Sequence, residues 1–200
     1  MNFNTLFLRS FRVLLLPFAL VYGLVVWLRN LMYDRGILKS TDFNLPLVSV
    51  GNLSVGGTGK SPMVEYLLGL LHERYKVGTL SRGYKRRTKG YVLAGYNTTA
   101  LEIGDEPMQF HLKFPEVAVA VGEERIVAVP QLLFDRPETQ VILLDDAFQH
   151  RKIARDVDLV LIDALNPWGY GHVLPRGLLR EPISSLKRAT AILVTRSDLI

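Results

Sequence analysis

An α/β fold, with a mostly parallel sheet and helices on both faces, follows from three features of this chain. From Asp42 onward, short apolar and β-branched runs alternate with longer amphipathic ones. The first of these runs leads directly into a glycine-rich loop and then a helical pattern. A separate apolar stretch with basic flanks precedes them all, which divides the chain into residues 1–40 and 41–200.

Taking the elements in order, Val13–Leu28 carries no charge over sixteen residues, with Arg9 and Arg12 before it and Arg29 and Arg35 after it. As a helix it would be ~24 Å long, short of the ~30 Å hydrocarbon core of a bilayer. Pro17 is expected to disturb its early turns. Trp27-Leu28-Arg29-Asn30 offers no small-residue cleavage site, so a signal peptide is not indicated. Cations at both ends with Tyr22 and Trp27 inside suit a helix lying in an anionic leaflet, and this is preferred to a span or a packed core helix.

The predicted strands are Leu47–Leu53, Lys76–Leu80, Val117–Val121, Val141–Leu144, Leu159–Ile162 and Ala191–Thr195, with helices at Pro62–Arg74, Glu106–Lys113 and Glu123–Phe134. Val64, Leu67, Leu68, Leu71 and Tyr75 recur at helical spacing and give the first of these helices one apolar face. The sequence stops at Asp198-Leu199-Ile200 directly after an apolar strand, from which a further C-terminal lobe is expected.

The loop between the first strand and its helix reads Ser54-Val55-Gly56-Gly57-Thr58-Gly59-Lys60-Ser61. It matches G-x-x-x-x-G-K-[ST] except at Ser54, and its context makes the fold P-loop NTPase-like. Glycines let backbone N–H groups face phosphate oxygens with no Cβ in the way. Lys60 would reach the β- and γ-phosphates of a nucleoside triphosphate, and Ser61 would give its hydroxyl to Mg²⁺. The bland alternative is a glycine-rich turn that happens to precede a lysine.

Composition narrows the chemistry. No cysteine occurs, which excludes disulfides and thiolate metal sites, and the four histidines show no metal-binding spacing. A formal charge of +5 points to an anionic partner: nucleotide, nucleic acid or acidic lipid.

Val141-Ile142-Leu143-Leu144 ends in Asp145-Asp146, where a P-loop protein carries its Mg²⁺-holding acid, so one of these two is expected to act through the metal. His150 follows and by itself reads as structural. In Gly104-Asp105-Glu106-Pro107, either acid is a helix cap or a general base for an attacking hydroxyl. Arg82, Lys85, Arg86, Arg87 and Lys89 form either a solvated surface or a contact for phosphates or lipid headgroups. Leu174–Pro182 brings Glu181 and two arginines, Arg176 and Arg180, whose guanidinium groups suit an anionic substrate or a transferring phosphoryl group.

In this order and spacing, these segments resemble the tetraacyldisaccharide 4'-kinase family, the lipid A 4'-kinases. The likeness includes the apolar basic N-terminus, Val50-Gly51-Asn52 leading into Ser54–Ser61, Ser81-Arg82-Gly83-Tyr84, Gly104–Pro107, Asp145–His150 and Leu174–Pro182. Ser54 belongs to that family's version of the loop. The resemblance implies phosphoryl transfer from ATP to the 4'-hydroxyl of a tetraacylated disaccharide 1-phosphate at the cytoplasmic face of an inner membrane, with no nucleic acid involved. It implies Asp105 as base, assisted by a histidine of the C-terminal lobe, with Lys60 and Asp146 also catalytic and Ser61, Asp145 and Asp146 around Mg²⁺. It also implies lower-ranked substrate roles for Arg82, Glu106, His150, Arg176, Arg180 and Glu181. Ala147 stands where the family usually has glycine.

Two rival readings remain. Thr195-Arg196-Ser197-Asp198 faintly resembles the guanine-reading [NT]-K-x-D of a membrane-associated GTPase, although arginine replaces lysine and no D-x-x-G follows the acid pair. A membrane-tethered ATP-binding scaffold without catalysis is the second.

Overall fold

The computed structural model describes residues 13–199. Arg9 and Arg12, two of the cations flanking the apolar stretch, lie outside the described residues. Seven strands form one sheet in the order β3-β4-β2-β5-β1-β6-β7. The strands are β1 (Leu47–Asn52), β2 (Val77–Ser81), β3 (Val92–Leu93), β4 (Ala118–Val121), β5 (Val141–Asp145), β6 (Val157–Asp163) and β7 (Ala191–Thr195). Every pairing is parallel except that of β3 with β4 at one edge. All six expected strands are present. β3 escaped prediction because two residues are too few to show alternation.

The helices are α1 (Leu16–Asp34), α2 (Lys60–Leu71), α3 (Ala100–Ile103), α4 (Asp105–Lys113) and α5 (Arg125–Asp135). α2 and α4 bury Val64, Leu68 and Phe110 against Val50, Val119 and Leu143 on one side of the sheet. α5 buries Ala128, Val129 and Leu132 with Leu80, Ile142 and Leu144 on the other. Both faces are therefore covered, as a parallel sheet requires, since its crossovers place helices on either side. α3 is a single turn, defined by the capping box between Thr99 and Glu102.

The N-terminal helix departs from its predicted bounds. It begins at Leu16, so Pro17 falls in the first turn, where its missing N–H costs nothing. It also runs on through Arg29 to Asp34. Ala19, Tyr22, Val26, Arg29, Asn30 and Asp34 share one face. That face meets the core through hydrogen bonds: Tyr22 Oη to the Arg180 carbonyl (2.9 Å), Arg29 Nη2 to the Gln149 carbonyl (2.5 Å) and Asn30 Nδ2 to Glu181 (3.2 Å). Arg151 bonds back to the Asn30 carbonyl (3.0 Å) and to Asp34 (2.8 Å). The other side leaves Phe18, Leu20, Val21, Leu24, Val25, Trp27 and Leu28 exposed. The helix thus turns Tyr22, Arg29 and Asn30 inward beside the buried Ala19 and Val26, and leaves most of its large apolar side chains outward, unlike an ordinary surface helix. Residues 13–40 are in this sense joined to the core through residues 149–151 and 180–181.

Candidate active site

β1 and β5 are neighbours in the sheet, with Val50 in register with Asp145. This pairing brings the Ser54–Ser61 loop and the Asp145-Asp146 tip to the same end of the sheet. Gly56 (φ 118°) and Gly59 (φ 85°) adopt backbone conformations that a Cβ would strain. Gly59 is the residue preceding α2, so the helix opens on Lys60 and its N-terminus faces the loop. Asn52 Nδ2 donates to Thr58 Oγ1 (2.9 Å), and Gln149 Nε2 donates to the Asn52 carbonyl (2.8 Å). Residues 178–180 run along the loop: the Val55 N–H donates to the Leu178 carbonyl (2.8 Å) and the Arg180 N–H to that of Leu53 (2.7 Å). At the opposite side, Thr195 Oγ1 donates to the Thr58 carbonyl and Arg196 Nη2 to that of Gly57, both at 3.1 Å.

The charges converge on Asp146. Lys60 Nζ lies 3.7 Å from Oδ1, and Arg180 Nη1 lies 2.9 Å from each carboxylate oxygen. Burial alone would raise the Asp146 pKa, but Lys60 and Arg180 outweigh it and hold the group below the usual carboxylate range. Asp145 is the opposite case. It is buried, its Oδ1 has no hydrogen-bond partner, and its pKa is pushed up to about 6, first by burial and then by Glu106 and Asp146. Beneath it sits Arg125, fully buried, which donates through Nη2 to the Asp145 carbonyl. Desolvation brings the Arg125 pKa down to about 10, still leaving the guanidinium charged at neutral pH.

From α4, Glu106 accepts a hydrogen bond from the Ser61 hydroxyl (2.8 Å). Asp105 is the first residue of that helix and is exposed. His150 is pushed down to about 4, by burial and then by Arg125, Arg155 and Arg82, so it is neutral at physiological pH. Those same electrostatic contacts place the exposed Arg82 beside the site. Arg176 is half-buried on the same loop as Arg180. Glu181, the remaining substrate candidate, is buried and bonded to Arg188 (2.6 Å) and Asn30.

The sequence reading missed Asn52, Arg125, Gln149, Thr195 and Arg196 as parts of this site. Arg125 follows Gly122-Glu123-Glu124 and there resembles one more solvated charge. Its burial is a tertiary fact with no local signature. Asn52 and Gln149 stand beside the glycine loop and the acid pair in sequence, but as neutral amides they carry no charge pattern that marks a site.

The oxygen-rich donors suit a hard divalent cation. Ser61 Oγ, Glu106, Asp146 and the orphaned Oδ1 of Asp145 are all oxygens at this end of the sheet. No group of three His, Asp or Glu able to hold a metal by itself occurs among the described residues. Mg²⁺ does not need one, because it takes one or two carboxylates and completes its shell with phosphate oxygens and water.

A family model described as tetraacyldisaccharide-1-P 4'-kinase matches residues 11–199. The tetraacyldisaccharide 4'-kinase of Flavobacterium johnsoniae is 50% identical over 185 residues, which is 92% of this chain and 54% of that protein. That of Porphyromonas gingivalis is 46% identical over 182 residues, 90% of this chain and 51% of the relative. A crystal structure of LpxK from Aquifex aeolicus in complex with ATP superposes with a TM-score of 0.86 at 38% identity, covering 94% of this chain and 60% of that one. The chain spans about half the length of the curated relatives it matches.

Proposed function

The chain belongs to the tetraacyldisaccharide-1-P 4'-kinase family, and from that premise we propose that the whole protein is an ATP-dependent lipid kinase. It transfers the γ-phosphate of ATP to the 4'-hydroxyl of a tetraacyldisaccharide 1-phosphate, a step of lipid A biosynthesis, at the cytoplasmic face of the inner membrane. The observation that carries this reading is the approach of Lys60 to Asp146 across adjacent strand ends, beside a glycine loop that opens a helix. The ATP complex of the Aquifex aeolicus protein, alike in fold, supports ATP as the donor.

In the mechanism, the amides of residues 56–61 and Lys60 bind the phosphates and offset their charge. Asp105, at the exposed start of α4, accepts the proton of the sugar hydroxyl and aligns it for attack. Ser61, Asp145 and Asp146 would hold Mg²⁺, which when bound neutralises charge building on the transferring phosphoryl group. Glu106 orients the Ser61 hydroxyl through its 2.8 Å hydrogen bond. Arg180 keeps the Asp146 carboxylate ionised and fixed in direction. Arg82 and Arg176 are offered to the anionic headgroup, and the half-buried His150 stays neutral beside them.

The outward apolar face of α1 supports attachment to the leaflet in which the acyl chains of the substrate reside. This helix is apolar and long enough to cross a membrane, and 11% of it is buried against the protein. We read it as lying in the interface, because its inward face is tied by hydrogen bonds to residues 149–151 and 180–181. The curated relatives matched here carry kinase names, which leaves the GTPase reading without support.

The test incubates the whole protein with γ-labelled ATP and the disaccharide lipid in mixed micelles. Label in the lipid, lost in Lys60→Ala and in Asp105→Asn, is the expected result. ATP binding with no label transferred by the unmodified protein would instead favour the non-catalytic scaffold.

A further inference from the structure

Resting on the reading that residues 54–61 hold the phosphates of ATP, we propose that Thr195 and Arg196 are positioning residues that aim the amides of that loop. They stand at the end of β7, separated from β5 and its acid pair by the two strands β1 and β6, and no role in the chemistry above requires them. Yet they grip two successive carbonyls of the loop. The Thr195 hydroxyl donates to the Thr58 carbonyl and the Arg196 guanidinium to the Gly57 carbonyl, each at 3.1 Å. The Thr195 methyl also lies 3.5 Å from the point where a Cβ on Gly59 would stand, so it closes the left-handed turn from behind.

A trans peptide points its C=O and its N–H in opposite directions. Fixing the Gly57 and Thr58 carbonyls toward β7 therefore fixes the N–H groups of Thr58 and Gly59 away from it. Those are among the donors the loop offers to phosphate. Without partners for the carbonyls, a glycine-rich backbone is free to rotate these planes, and the donors lose their common direction.

The arrangement is braced rather than incidental. Arg196 Nη2 also pairs with Asp163 Oδ2, while Asp163 Oδ1 accepts the Leu165 N–H at 3.1 Å. Asp163 is the last residue of β6 and the register partner of Thr195. The acceptor that steers Arg196 is thus set by the sheet itself. Arg196 moreover holds a left-handed backbone, φ 57°, which an arginine adopts at a cost and keeps only where surrounding contacts impose it. The segment that resembled a base-reading motif instead acts on the phosphate loop.

The experiment measures binding of MgATP to the whole protein by calorimetry, together with the thermal midpoint without nucleotide, for Arg196→Ala, Arg196→Lys, Thr195→Val and Lys60→Ala. Loss of a hydrogen bond from a charged donor predicts about tenfold weaker ATP binding in Arg196→Ala. The nucleotide-free midpoint should stay within about 2 °C of the parent, on the scale expected for a surface change. Arg196→Lys should recover most of the affinity, and Thr195→Val, which removes only a hydroxyl, should lose about threefold. Unchanged ATP affinity in both Arg196→Ala and Thr195→Val, with affinity lost in Lys60→Ala, would overturn this inference and leave the phosphate reading standing. Full affinity in Lys60→Ala would overturn the phosphate reading itself. Should Arg196→Ala fail to fold, Thr195→Val decides alone.

Discussion

One nitrogen of the Arg180 guanidinium lies 2.9 Å from both carboxylate oxygens of Asp146. Lys60 approaches the same carboxylate from the phosphate loop, at 3.7 Å. Asp146 itself has a positive φ of 49°, a conformation that a short polar side chain tolerates better than most. The segment 174–182 is therefore coupled to the acid pair through charge, and to α1 through the Tyr22 hydroxyl on the Arg180 carbonyl. Arg180 thus contacts α1 through its backbone carbonyl and Asp146 through its side chain.

Arg180→Ala removes the larger part of that clamp. Because the Asp146 carboxyl is held below its unfolded value, its ionic contribution is present at neutral pH and fades as pH falls through the folded pKa. The variant should be less stable than the parent by about 1–2 kcal/mol at pH 7, discounted for partial exposure of both groups. That deficit should shrink in acid. Urea unfolding at pH 7 and near pH 3 checks it, and a deficit independent of pH would remove the ion pair from the explanation.

Asp145 predicts the opposite sign. Its carboxyl titrates near 3.8 when exposed and at about 6 when folded, because it is buried beside Glu106 and Asp146. Between those values the folded state keeps a proton that the unfolded state has released, so stability falls as pH rises through the window. Asp145→Asn never makes that transition. It should be more stable than the parent at pH 7.5, by about 3 kcal/mol, and the two should converge below about pH 3. Activity should be lost in the same variant. A stabilising substitution that abolishes turnover is the mark of a group kept for chemistry at the expense of the fold.

How much of this was legible beforehand differs from residue to residue. Ser54–Ser61 and Asp145-Asp146 were found because apolar strands announce where their loops begin, and parallel neighbours bring those loops together. The fold class followed from the same alternation. Arg125 was illegible, since nothing near it distinguishes a fully buried arginine from a surface one. The docking face of α1 was legible in principle: Tyr22, Arg29 and Asn30 fall at helical spacing on one side. Thr195 and Arg196 lie in a segment whose pattern suggests base reading through Asp198, whereas the loop carbonyls they hold are reached only once β7 pairs with β6.

The outward face of α1 carries a prediction about location. Leu20 and Leu24, one turn apart, are 65% and 56% exposed. A Leu20→Glu, Leu24→Glu variant keeps every hydrogen bond on the inward face and places two carboxylates where acyl chains would be. Binding to anionic vesicles should weaken by about a hundredfold or more, since the two leucines removed from the interface together forgo roughly 3 kcal/mol. The far-ultraviolet spectrum should be unchanged. Sedimentation with vesicles equal to the parent would remove α1 from the account of membrane attachment.

Two glycines with opposite predicted outcomes test the packing of the site's foundation. At Gly51 in β1, an added Cβ would stand 2.6 Å from the Phe148 Cβ and 2.9 Å from the Phe148 nitrogen, contacts no side-chain rotation can relieve. Phe148 is fully buried under the Arg188 guanidinium, 4.5 Å from its ring, so the residue that must yield has nowhere to go. Gly51→Ala should destabilise the protein by about 2–3 kcal/mol through overpacking. It should also weaken ATP binding, because Phe148 is two residues from Asp146. Gly69 lies within α2, exposed, with nothing near its missing Cβ and an ordinary helical φ. Gly69→Ala should stabilise by about 0.5–1 kcal/mol, by reducing the freedom of the unfolded chain. Urea midpoints moving in opposite directions for two identical chemical changes follow only if the strand β1 and the loop after β5 are as closely packed as described. A neutral Gly51→Ala would mean that the backbone at Phe148 stands farther from β1, and the acid pair with it.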